Sequence, residues 1–138
     1  MGLANSLSSI NWLAVAAATA TAFSLGAFWY SKYLFGQAWM QEVGLSEDDR
    51  ASANLRPILV GTAVLQLVAA SALAVFLGPG STWLIGLQSG LIVGIGWLAT
   101  SYGITYLFEQ RSLRLFSINA GYYVVAFASM ATIIGAWH

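Results

Sequence analysis

Four long apolar stretches, separated by short polar or turn-forming segments, organise the chain. They predict membrane helices over about 11–34, 57–77, 83–107 and 115–137, each with roughly the twenty residues that cross a ~30 Å hydrocarbon core at about 1.5 Å per residue. Between the first two lies a mixed segment, 36–56. Phe35, Trp39 and Val43 share a face there, so Gln37 to Val43 reads as a short helix lying at the membrane interface. An extension of the first helix explains the spacing nearly as well. Ser46 followed by Glu47, Asp48 and Asp49 predicts an N-cap with acids in the first turn, where the helix dipole favours them. Three adjacent acids point in different directions around a helix, which favours capping over a metal site. Gly78-Pro79-Gly80 predicts a tight turn, and Glu109 to Arg114 a short charged one. The fold class is all-α: an integral membrane four-helix bundle forming one domain, 1–138.

Small residues recur within these stretches. Gly86, Gly90 and Gly94 make a groove on the third helix into which another backbone can press, and that helix reads as the buried one around which the others gather. Ala14, Ala18, Ala22 and Gly26 form a matching stripe on the first helix, so the first and third helices are expected to touch. Gly121, Ala128 and Gly135 mark a further close-packing seam on the fourth. At about 100° per residue, Gln88 and Tyr106 fall on the side of the third helix opposite its glycines, with Tyr102 and Glu109 within roughly 60° of that line.

Composition excludes more than it identifies. Hydrophobic residues make up 59% of the chain and charged ones 7%, too few to clothe a water-soluble surface, where about 25% is usual. Five basic residues without a cluster give no nucleic-acid footprint. Cysteine is absent and the one histidine is His138, so no metal or cofactor site is expected. The polar residues before Asn11 include no basic one, so the first stretch is not read as a signal peptide. Lys32, Arg50, Arg56, Arg111 and Arg114 all fall in the connections between helices one and two and between three and four. By the positive-inside rule those connections face the cytoplasm and both termini face outside. Trp12, Trp83 and Trp137 then form an outer aromatic belt, Trp29 and Trp39 an inner one, and Trp97 stands in mid-membrane.

Two segments are alike. Tyr33-Leu34-Phe35-Gly36-Gln37 and Tyr106-Leu107-Phe108-Glu109-Gln110 differ only at Gly36 against Glu109, compatible both with two like-oriented duplicated hairpins and with chance in so apolar a chain. Through Trp29-Tyr30, Gly36-Gln37-Ala38-Trp39-Met40, Phe108-Glu109-Gln110-Arg111 and Ile118-Asn119-Ala120-Gly121-Tyr122, the sequence resembles the domain of unknown function 1761 family. Its members are small four-helix membrane proteins of bacteria and fungi. The resemblance runs from Asn11-Trp12 to Trp137 and implies a four-helix fold with no assigned activity; the expected location is the cell membrane, the inner membrane of a bacterium.

Depth sorts the polar residues. Gln66 lies near the middle of helix two, Tyr102, Tyr106, Asn119, Tyr122 and Tyr123 in the half nearer the basic connections, and Glu109, Arg111 and Lys32 at the mouth. A structural reading, with amides bonding across helices and tyrosines anchoring the bundle, competes with a ligand- or pore-lining one. No Asp, Glu, His or Cys falls within the centre of any span, so no catalytic residue is assigned and an enzyme is not expected. Uncharged polar groups and tyrosines suit passive transport, or a pocket for a small neutral solute, a lipid or a quinone. The alternative is an interaction subunit that forms a homo-oligomer through its small-residue faces.

Overall fold

The computed structural model describes residues 2–137; His138 lies outside them. Among the described residues seven helices follow one another: α1 (Leu3–Ser8), α2 (Trp12–Trp29), α3 (Gly36–Val43), α4 (Glu47–Ser52), α5 (Leu55–Leu77), α6 (Trp83–Glu109) and α7 (Leu113–Ala136). Four of them, α2, α5, α6 and α7, are long and apolar enough to cross a membrane.

Local chemistry accounts for most boundaries. The Asn11 side chain caps α2 by accepting from the Leu13 and Ala14 amides, and Asn54, Thr82 and Ser112 cap α5, α6 and α7 in the same way. Pro57 sits in the first turn of α5, where a missing amide costs little. Gly78 and Gly80 take positive φ (71° and 83°), the left-handed conformations that the turn between α5 and α6 needs. The first spanning helix stops at Trp29, short of the expected 34. The Trp29 carbonyl instead accepts from Phe35 at 2.9 Å and the Ser31 carbonyl from Gly36 at 2.9 Å, folding the chain back on itself. Gly36 permits this, because a Cβ there would run into the Tyr30 and Ser31 carbonyls. The amphipathic α3 starts at that glycine, buries Met40, and is tied to the start of α7 by Ser112 Oγ donating to Glu42 Oε2 at 2.8 Å. Ser46 and Asp49 form the reciprocal capping box of α4.

The organising helix is α7, not the third span. Half of the most apolar window of α7 is buried against 11% for α6, and α7 packs on α2, α5, α6 and α3. The glycine groove of α6 receives α7 rather than the first helix. Cβ atoms on Gly86 and Gly90 would meet the Ala131 and Phe127 carbonyls, and one on Gly94 would lie 2.9 Å from Val124 Cα. Ala14, Ala18 and Ala22 are buried against α5 and α7, and Gly26 receives the Tyr122 ring. Both small-residue stripes therefore complement α7, the more central partner. The seam on α7 is shared: Ala128 and Gly135 meet α6, while Gly121 lies under the Trp29 ring.

A second departure lies inside α6. Gly94–Ala99 is a π-helical turn between the α-helical Trp83–Val93 and Thr100–Glu109. One residue too many in a turn removes about 100° of rotation. In an unbroken α-helix Tyr106, sixteen residues past Gly90, would sit about 160° away from the glycine groove. The π-turn brings it, with Tyr102, back towards α7. Gln88, placed on one face with Tyr106 by the regular period, is instead exposed on the far side and makes no hydrogen bond among the described residues.

Candidate functional site

Near the basic end of the bundle, four spans contribute to one polar and aromatic cluster. Asn119, half-buried on α7, accepts the Tyr30 hydroxyl on its Oδ1 at 2.7 Å and donates from Nδ2 to the Tyr106 hydroxyl at 2.8 Å. A single amide thus joins the end of α2 to the second half of α6. One turn further along α7, the buried Tyr122 donates its hydroxyl to the Ala22 carbonyl at 2.8 Å and accepts from Gln66 Nε2 at 2.7 Å. That pairing settles the orientation of the Gln66 amide. Since the one Tyr122 proton is engaged by Ala22, only the amide nitrogen can serve it.

The rings extend the network. Tyr102 stacks on Tyr123 (5.4 Å, 21°), Tyr102 meets Tyr106 at 5.5 Å, and Tyr122 meets Tyr123 edge-on at 5.0 Å and Tyr30 at 5.6 Å. Each such pair contributes about 0.5–1.5 kcal/mol beyond its buried area. The sequence-derived set Gln66, Tyr102, Tyr106, Asn119, Tyr122 and Tyr123 therefore comes together. Two neighbours escaped it. Tyr30 completes the Asn119 bridge, and Trp29 donates its indole N–H to the Ile118 carbonyl at 2.9 Å while packing on Tyr122. The fold places Trp29 in this cluster. The adjacent aromatic pair at the end of a span was the available signal.

Glu109 and Arg111 do not join. They pair with each other (3.1 Å), exposed beyond the end of α6, while Lys32 lies over the Tyr33 ring at 5.2 Å and Arg114 reaches Glu42 at 3.7 Å. The cluster itself carries no formally charged side chain. Two surface grooves, one of 510 Å³ between α2 and α5 and one of 360 Å³ between α6 and α7, are lined by other residues.

Counting donors and acceptors shows what the cluster leaves over. Tyr30 uses its proton on Asn119, whereas Tyr106 accepts there and its own proton has no acceptor among the described residues. The Tyr102 and Tyr123 rings stack, and neither hydroxyl has a hydrogen-bond partner among the described residues. The Gln66 carboxamide oxygen is buried without a partner. Three phenol protons and one acceptor are thus without a partner in the cluster among the described residues. The spans α5 and α6 meet through the first half of α6, next to the Pro79 turn, and through the Phe76 ring against Trp97 in the π-turn. Thr100–Glu109 does not pack closely on α5, and α7 packs on both.

No match is found among curated proteins or solved structures. A family model does match, over residues 13–135, nearly the whole chain, and the protein accordingly belongs to the family of proteins of unknown function DUF1761.

Proposed function

We propose that this protein is a multi-pass protein of the bacterial inner membrane, with both termini outside, that binds an amphipathic, lipid-like molecule. The ligand enters from the bilayer between α5 and the second half of α6. Its headgroup oxygens accept from the Tyr102, Tyr106 and Tyr123 hydroxyls, and its tail lies along the exposed apolar flanks around Ile104 and Leu65. One observation carries this reading: the Tyr102, Tyr106 and Tyr123 hydroxyl protons have no protein acceptor among the described residues, on the half of α6 that does not pack closely on α5. Neutral donors suit carbonyl, ester or hydroxyl oxygens and give no basis for moving a charge, so a transport role is passive. The orientation rests on the five basic residues at one end, where Ser112 and Glu42 join the two basic connections.

Native mass spectrometry of the protein extracted from phosphatidylethanolamine and phosphatidylglycerol membranes tests the reading. Retained lipid should fall at least several-fold in Tyr102→Phe with Tyr123→Phe, which deletes the hydroxyls and keeps the rings. Equal retention in wild type and variant counts against it. A second reading, self-association, is supported by the small-residue groove of Ala16, Thr19, Ala20 and Ala63 left open between α2 and α5. The glycine stripe that first suggested assembly is occupied within the chain. Ala20→Leu should shift the oligomer distribution in the same mass spectra if that groove is an interface.

A further inference from the structure

The two halves of α6 are held very differently. Gly86, Gly90, Val93 and Gly94 are buried against α7, glycine backbone on backbone, whereas no residue of Thr100–Glu109 is buried. Beyond the π-turn, α6 meets α7 through the Tyr102 ring stacked on Tyr123, the Asn119–Tyr106 hydrogen bond and Gly103 beside the Phe116 ring. The hinge between them is prepared. A Cβ on Gly96 would meet nothing within 4 Å, and the Thr100 hydroxyl bonds the Gly96 and Trp97 carbonyls (2.8 and 3.1 Å), as the Ser101 hydroxyl bonds Trp97, collecting carbonyls in the widened turn.

We propose that the π-turn is a register switch gating the entry between α5 and the second half of α6. Relaxing it to α-helical winding rotates the second half of α6 by about 100°. Tyr102 and Tyr106 then leave α7, Asn119 Nδ2 becomes free and the Tyr123 ring is uncovered. In this rotated form a ligand headgroup oxygen takes the place of the Tyr106 oxygen on Asn119, and it passes to the Tyr102, Tyr106 and Tyr123 hydroxyls when the turn closes again. In the seated form the tyrosines are surrogates for that headgroup, which is why the cluster is compact without a ligand. What the gate admits rests on the lipid-binding reading; the rotation itself does not.

Because the chain has no cysteine, spin labels can be placed singly. Pairs at Ile104→Cys with Ser117→Cys and, as control, Ile92→Cys with Ser117→Cys are measured by pulsed electron spin resonance in nanodiscs of phosphatidylethanolamine and phosphatidylglycerol. All three sites are exposed. The 104–117 pair should show two distances several Å apart and the 92–117 pair one. Deleting Gly96 removes the surplus residue and should collapse the 104–117 distribution onto the seated distance. Thr100→Val with Ser101→Ala, at native chain length, should enrich the rotated one and covers the case in which the deletion fails to fold. A single, unchanged 104–117 distance in the wild type and in the Thr100/Ser101 variant overturns the switch. Lipid retention in the same samples separates the two proposals: two distances without retained lipid keep the switch and remove the lipid ligand, whereas one distance with retained lipid does the reverse.

Discussion

Asn119 accepts the Tyr30 hydroxyl at 2.7 Å across a sequence separation of 89, the most direct tie between the start of α7 and the end of α2. The same carboxamide holds Tyr106 through its nitrogen, so both of its ends face protein rather than lipid. Asn119→Leu should therefore cost about 1 kcal/mol, at roughly 0.6 kcal/mol per interhelical hydrogen bond within a membrane. Reversible unfolding in mixed micelles measures it. Unaltered stability would mean that the amide contributes nothing structural.

Gly90 separates close packing from mere helix propensity. A Cβ there would lie 2.5 Å from the Phe127 carbonyl oxygen and 2.7 Å from Ala128 Cα, so Gly90→Ala should destabilise by about 1–3 kcal/mol through overpacking. At Gly61 a Cβ meets nothing within 4 Å, and Gly61→Ala should be neutral or stabilising. Equal effects of the two in a thermal melt would show that α6 is not clamped on α7.

Orientation can be tested by cysteine labelling. With Gln41→Cys in α3, a membrane-impermeant maleimide should label the protein in inverted vesicles and not in intact cells. The reverse pattern would place the basic connections outside.

The capping box of α4 predicts a local response to pH. The Ser46 backbone and hydroxyl hydrogen bonds hold the Asp49 carboxyl below its ordinary value of 3.8. A lowered value in the folded state means that this contribution is complete above about pH 4 and is lost as pH falls through the lowered value. The Ser46 amide proton, donated to Asp49 Oδ2 at 3.0 Å, should titrate in NMR spectra with a midpoint below 3.8. Asp49→Ala should abolish that titration and leave the spanning helices unchanged, because the group is fully exposed.

Much was determined by sequence alone, wherever the physics is local or one-dimensional. Long apolar stretches must satisfy their backbone amides internally, which made the four spans legible, and the capping residues Asn11, Asn54, Thr82 and Ser112 act within two or three residues of themselves. Depth along a helix is also one-dimensional, which is why Asn119, Tyr106, Tyr122 and Gln66 could be grouped by membrane level before their contacts were known. Partner choice is not local. A glycine groove is complementary to any small-residue face, and whether Gly90 would meet Ala18 or Ala128 depended on which helix took the centre. The face of Tyr102 and Tyr106 was decided by tertiary packing as well. Nothing in a regular 3.6-residue period announces one extra residue between Gly94 and Ala99, yet that residue turns the tyrosines from the far side of α6 onto Asn119 and Tyr123. The π-turn persists because it lets the glycines and the tyrosines meet α7 together, a gain that exists only once α7 is in place.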